Sequence, residues 1–132
     1  MLEYEPKILV AFAETLSGNT DIFNWLLNNG YPELAALSAT LRGSEEASGW
    51  LMKNGYQHFA ALDQAIDGKM EAYLWLVRND YRLLATLADA CNNKPEAIRW
   101  LAANDLHIFI MIAEKFRGFR DSQTFDYHKI HF

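Results

Sequence analysis

Histidine is the residue type in this chain most suited to binding a metal ion, and two of the four histidines lie close together. His128 and His131 are three residues apart, so a helix would place both on one face, with Asp126 nearby. Imidazole and carboxylate groups in such an arrangement can bind a divalent transition metal. No cysteine or glutamate is spaced to complete a site. We therefore interpret these residues as a solvated C-terminal tail and expect neither a metal ion nor a cofactor.

Nucleophilic or acid–base catalysis would need a reactive thiol or a carboxylate that does not simply recur in every repeat. Cys91 is the only cysteine, which excludes an internal disulfide, and its place in the repeat described below favours a small core residue over a nucleophile. Glu46, Glu71 and Glu96 recur every 25 residues. A carboxylate that is present in every copy indicates a structural role at the start of a helix, where the helix dipole stabilises it, rather than a catalytic role. No glycine-rich phosphate loop or nucleophile elbow is present, so we predict that the protein is not an enzyme.

The four tryptophans reveal how the chain is organised. They are the only tryptophans and lie at Trp25, Trp50, Trp75 and Trp100, a constant spacing of 25 residues. Each is followed by leucine, then by asparagine at the fourth position after it, then by glycine or aspartate. A fixed period of this kind indicates a repeat architecture. The N-terminal residues are in phase with the second half of the unit, so the first copy is a half repeat.

Each unit is predicted to form two helices. Apolar residues recur at i, i+3 and i+4 in both halves. The Asn-Gly or Asn-Asp pair suits the left-handed residue that ends a helix, and Gly43, Gly68 and Gly118 are expected to end the second helix in the same way. The first helices are placed near 20–28, 45–53, 70–78 and 95–103, and the second helices near 7–17, 32–42, 57–67, 82–92 and 107–117.

Helices of about nine residues are not stable alone, so the units must pack on one another. The predicted fold class is all-α: a right-handed αα-solenoid of about four and a half 25-residue helix-turn-helix repeats, forming a short curved rod. The single domain 1–132 divides into a half repeat at 7–18 as N-terminal cap, four helical-hairpin repeats at 19–118, and a C-terminal cap or tail at 119–132. Because the end of a solenoid exposes an apolar face, we expect Phe125, Tyr127 and Ile130 to cover it or to dock on another chain.

Part of the unit resembles a known repeat family. The segment Gly43–Gly55, GSEEASGWLMKNG, resembles the second half of an ankyrin repeat, and Leu34-Ala35-Ala36 resembles the helix that precedes it in that family. The unit of 25 residues is shorter than the usual ankyrin repeat of about 33, and the Thr-Pro-Leu-His start is absent. The resemblance to ankyrin-like and other αα-superhelical repeats implies a protein-binding role.

Two sets of apolar residues are candidates for binding. The tryptophans could form a ladder on which a ligand stacks, but each shares a helical face with an alanine and adjoins a leucine, which favours a place in the core between helices. Phe23, Tyr73 and Leu74 lie off the predicted packing face, where a solvated helix would carry charge. With Phe125 and Tyr127 of the tail, they are the candidate partner-binding residues.

Composition narrows the function further. The chain has 132 residues and a net charge of −5, which makes nucleic acid an unsuitable partner. No apolar stretch is long enough to span a membrane, and the acidic start does not resemble a signal peptide, so we expect a cytoplasmic protein. The favoured function is a non-catalytic protein–protein interaction or scaffold module whose partner is another protein. A small enzyme or ligand-binding protein that uses the solenoid groove, and a homo-oligomer assembled through the solenoid ends, are the alternatives.

Overall fold

The computed structural model describes the backbone of residues 1–130 and the side chains of residues 1–123. Within this part the fold is all-α, with nine helices and no strand. They are α1 (Pro6–Leu16), α2 (Thr20–Asn28), α3 (Pro32–Leu41), α4 (Glu45–Lys53), α5 (Gln57–Ile66), α6 (Met70–Arg78), α7 (Arg82–Cys91), α8 (Pro95–Ala103) and α9 (His107–Ile130). None of the helices searched in this part of the chain has the length and apolar character that crossing a bilayer requires.

The first eight helices begin and end within one residue of the positions predicted from the sequence, but α9 does not end where expected. Gly118 was predicted to end it, yet the helix continues to Ile130. Gly18, Gly43 and Gly68 occupy the same position in other units and have φ between +88° and +103°, whereas Gly118 has no positive φ. The side chains that flank Gly118 explain why the helix continues. Arg117 donates to the carbonyl of Ala90, and Arg120 donates to that of Cys91 at 2.7 Å, so the continued helix caps the C-terminal end of α7.

The recurring asparagine ends each of the helices α2, α4, α6 and α8 by a direct hydrogen bond. Its Nδ2 donates to the carbonyl of the tryptophan four residues earlier, at 2.7 Å for Asn29 and 2.8 Å for Asn54. The next residue reverses the chain with a positive φ, 92° at Gly30 and 65° at Asp80. The prediction that these pairs end helices is therefore confirmed. The asparagine satisfies a carbonyl of the last turn, and its neighbour takes the left-handed conformation.

The odd-numbered helices form a closed ring. Helices α1, α3, α5, α7 and α9 pack side by side in this order, and α9 packs against α1 as extensively as the two helices of a hairpin do. Lys115 Nζ of α9 lies 3.5 Å from Glu14 Oε1 of α1 across this closure. We call these five the inner helices. Most of the buried core belongs to them, including Phe12, Phe59 and Phe109.

The even-numbered helices lie outside the ring. Each of α2, α4, α6 and α8, the outer helices, packs mainly against the inner helices that precede and follow it. Each contributes one fully buried leucine, at positions Leu26, Leu51, Leu76 and Leu101. An outer helix therefore needs only a narrow apolar stripe to hold it against the ring.

Closure of the ring corrects the expectation of a rod with an unpaired end. The rotations between successive units accumulate until the fifth inner helix, α9, lies beside the first, α1. The apolar face of α9, which includes Phe109 and Phe116, is buried with α1 as its neighbour. The tail residues Phe125 and Tyr127, which were predicted to cover this face, lie outside the described side chains.

Candidate functional site

The four tryptophans are exposed, which corrects the prediction that they form the core. The exposed fractions are 47% for Trp25, 37% for Trp50, 38% for Trp75 and 47% for Trp100, whereas the leucine that follows each one is 0% exposed. Successive residues of an α-helix point about 100° apart, so only one member of a Trp-Leu pair can face the ring. The leucine takes that position, and the larger indole lies on the flank of the outer helix.

The tyrosine just before the next inner helix supports three of the four indoles. The rings of Trp50 and Tyr56 stack with centroids 6.1 Å apart and planes within 10°, and those of Trp75 and Tyr81 stack at 5.8 Å and 10°. Trp25 and Tyr31 form a similar pair at 6.3 Å. Offset stacking on a tyrosine restricts the orientation of these three indoles at the surface.

Further apolar side chains extend this surface. Leu27 and Met52, each two residues after a tryptophan, are 47% and 51% exposed. We use the name tryptophan belt for the six residues Trp25, Leu27, Trp50, Met52, Trp75 and Trp100. They are six of the ten large hydrophobic side chains left exposed in the described part of the chain. They recur at equivalent positions on the outer helices, which makes them a candidate interaction surface.

The belt contains a groove over α5, between the outer helices α4 and α6. Met52 of α4 and Trp75 of α6 form its walls, and Ala60 and Ala61 of α5 form its floor. The remaining lining residues are Gln57, Gln64, Glu71 and Ala72. We call this depression the α5 groove. Its small floor residues and large apolar walls give it the shape of a slot for an apolar ridge.

An acidic depression adjoins the α5 groove near the C-terminal end of α5. Glu45, Asp63 and Asp67 line it, together with serine and threonine side chains. Burial, and then the nearby charge of Asp67, raise the pKa of Asp63 to about 6, while Lys69 acts in the opposite direction. Neither this depression nor the α5 groove is lined by a lysine or an arginine among the described side chains.

Of the five residues predicted from the sequence to bind a partner, Phe23, Tyr73 and Leu74 have described side chains. Phe23 and Tyr73 are half-buried against the core, and the Tyr73 hydroxyl donates to Asp89 Oδ2 at 2.9 Å. Leu74 is exposed on α6 beside Trp75. The described structure therefore leaves Leu74 the most accessible of the three. Leu27 and Met52, whose apolar character two residues after a tryptophan suggested packing between units, are exposed instead.

Cys91 and His58 are two further groups that could carry chemistry. Cys91 is buried, as predicted for a core residue, and burial raises the pKa of its thiol to about 12. A thiol with that pKa stays protonated near neutral pH and is a poor nucleophile. His58 stacks on Tyr81 with centroids 4.7 Å apart, and burial lowers its pKa. Among the residues searched, no group of three His, Cys, Asp or Glu side chains could hold a metal ion. His128 and His131 lie outside the described side chains.

Comparisons with protein-family models, with curated proteins and with solved structures find no match to this chain. The functional interpretation therefore depends on the geometry of the belt and of the groove.

Proposed function

We propose that the protein is a non-catalytic interaction module, acting in the cytoplasm, that binds another protein through the tryptophan belt. The observation that carries this proposal is the exposure of all four repeated tryptophans. Tryptophan is the side chain most enriched among residues that dominate binding energy at protein interfaces. Here it recurs at equivalent surface positions around the molecule.

The scaffold itself does not require an exposed indole at these positions. Leu26, Leu51, Leu76 and Leu101 already anchor the outer helices to the ring. Stacking on tyrosine contributes about 0.5–1.5 kcal/mol per pair, which is a partial structural use of the ring. Most surface positions meet that need with smaller or more polar groups. The exposed remainder of each indole is apolar area that a partner could bury.

Preorganisation adds to the suitability of the belt for binding. A side chain held in one rotamer before binding loses little conformational entropy when a partner docks, and such ordering otherwise costs about 0.5–1.5 kcal/mol per side chain. The parallel stacks at Tyr31, Tyr56 and Tyr81 hold three of the indoles in this way. The resemblance of Gly43–Gly55 to part of an ankyrin repeat gives independent support, because repeats of that class commonly bind proteins.

Affinity capture from the native cells tests the proposal. The baits are the wild-type protein, the double variant Trp50→Ser and Trp75→Ser, and a control with Lys53→Ser and Arg78→Ser on the same two outer helices. We expect at least one protein to be retained by the wild type and the control and to fall at least about tenfold with the tryptophan variant, a loss of about 1.4 kcal/mol. Circular dichroism verifies that all three baits are folded. Identical captured sets for the three baits would refute a binding role for the belt.

A further inference from the structure

We propose that the α5 groove binds an amphipathic helix of the partner protein, with its apolar ridge in the slot and lysine or arginine residues along its flanks. This inference rests on the proposed function and specifies the chemistry of the partner. Shape, apolar lining and charge support it.

The first support is shape. Consider a regular ring of five inner helices in which the axes of packed helices are about 9 Å apart. A ligand helix that lies on the outside of α5, with its axis about 9 Å from that of α5, would be about 10 Å from the axes of both α4 and α6. Both distances are normal for packed helices. The floor makes this approach possible, because Ala61 presents only a methyl group there and Ala60 is buried. A helix of α5's ten residues is about 15 Å long, enough for about three turns of a ligand helix.

The second support is the apolar character of the walls. Met52 and Trp75 face each other across the floor, and both are exposed. Helix-in-groove complexes bind through residues at i, i+3, i+4 and i+7 that enter such a slot. A methionine wall adapts to side chains of different shape, and the indole presents a flat, rigid face. The pair suits the leucine, isoleucine or phenylalanine ridge of an amphipathic helix.

The third support is charge. Glu71 lines the groove, and Glu45, Asp63 and Asp67 line the adjoining depression, with no lysine or arginine in either lining among the described side chains. The whole chain carries a net charge of −5. Complementary charge accelerates association and disfavours partners of like charge. An acidic helix and an anionic lipid surface are both disfavoured here, whereas a helix with basic flanks is favoured.

The equivalent surface of α7 does not share these properties. The positions that correspond to Gln57, Ala61 and Gln64 are Arg82, Thr86 and Asp89 on α7. A polar and charged floor cannot receive an apolar ridge without leaving polar groups unpaired. Thr86 therefore offers a matched control for Ala61, since the two occupy the same position in successive repeats.

Titration of the full-length protein with two synthetic helical peptides tests the inference. Both peptides have about 14 residues and the same leucine ridge, and one has lysine flanks where the other has glutamate flanks. Isothermal titration calorimetry gives the affinity of each for the wild type, Ala61→Arg and Thr86→Arg. The two variants add the same charge, so only the one that fills the groove should interfere. We expect the lysine peptide to bind the wild type and Thr86→Arg within about twofold, and Ala61→Arg at least about tenfold more weakly.

The charge argument has its own readout. The glutamate peptide should bind the wild type at least about tenfold more weakly than the lysine peptide, and Glu71→Lys should narrow that difference. Equal effects of Ala61→Arg and Thr86→Arg, equal affinity for both peptides, or tighter binding to anionic vesicles than to the lysine peptide would each overturn the inference. A natural partner that is lost with the tryptophan variant but retained by Ala61→Arg would also overturn it while leaving the proposed function intact.

Discussion

Truncation of Phe12 to alanine tests whether the ring is closed in solution. Phe12 lies on α1 and is 0% exposed. Removing a phenylalanine ring from a core costs about 3–5 kcal/mol, the sum of lost transfer energy and the cavity left behind. A domain is held folded by only about 5–15 kcal/mol, so this loss is large. Because α1 packs against both α3 and α9, the substitution should destabilise both neighbouring helices.

Hydrogen exchange measured by mass spectrometry separates the closed ring from an open array. Each 1.4 kcal/mol changes an opening equilibrium about tenfold, so 3 kcal/mol should accelerate exchange by at least about a hundredfold. In the closed ring, Phe12→Ala accelerates exchange in α3 and in α9 together. Val10→Ala, at an exposed position of the same helix, is the control and should change little. Acceleration in α3 with unchanged protection in α9 would refute closure, because in an open array α9 is the helix farthest from α1.

Three further predictions follow from side-chain placement. Leu51→Ala should cost about 2–5 kcal/mol and Trp50→Ala only about 1–2 kcal/mol in urea unfolding, because Leu51 is 0% exposed and the indole mainly loses its stack; a larger loss at Trp50 would contradict its surface position. Asp63 has a folded pKa of about 6, above its value of 3.8 in an unfolded chain, so the carboxylate destabilises the fold at pH 8, and the wild type should gain stability as the pH falls from 7 to 4. Asp63→Asn should therefore be more stable at pH 8 by about 1 kcal/mol, since water screens this half-exposed group, with the difference gone by pH 4; an unchanged pH dependence would contradict the assignment. Asp80→Gly should raise the free energy of unfolding by about 1 kcal/mol, and with it the melting temperature, because Asp80 adopts a φ of 65° that glycine tolerates without strain. A lower melting temperature would contradict this.

The helix boundaries could be predicted from the sequence because the residues that begin and end each helix act on their immediate neighbours in the chain. Asn54 and Gly55 act within one turn of the helix that they end, and their roles do not depend on distant parts of the chain. The same holds for Ser44, whose hydroxyl accepts a hydrogen bond from the Ala47 backbone amide at 3.1 Å at the start of α4. Boundaries set by such residues could therefore be read in order along the chain.

Ring closure could not be predicted in that way. It depends on the rotation between successive units, which small changes in packing at alanine-rich contacts determine and which accumulates over five inner helices. The contact between Glu14 and Lys115 joins residues about a hundred positions apart, and neither has a feature that marks it as a partner of the other. Gly118 was misjudged for the same reason, since the contacts of Arg117 and Arg120 with α7 exist only in the folded ring.

The exposure of the tryptophans was misjudged because periodicity does not separate neighbours on a helix. Trp50 and Leu51 both fall within a broad apolar arc, and burial goes to whichever residue points at the ring axis. The clue was available in the unit itself. A leucine follows every tryptophan, and Leu27 and Met52 add apolar residues on the far flank. When the apolar arc of a helix is wider than its packing face requires, the additional apolar residues can indicate a surface that a partner covers.

Fluorine NMR of the protein labelled with 5-fluorotryptophan would measure most directly whether the repeated indoles are a surface for binding. A change from water to D₂O shifts the resonance of a fluorinated indole only where solvent reaches the ring. With the exposed fractions of 37–47% found for the four tryptophans, all four resonances should show this shift, and that of Trp75, which lines the α5 groove, should move further when the lysine-flanked peptide is added. Four resonances that respond neither to solvent nor to peptide would place the indoles in the core and contradict the tryptophan belt.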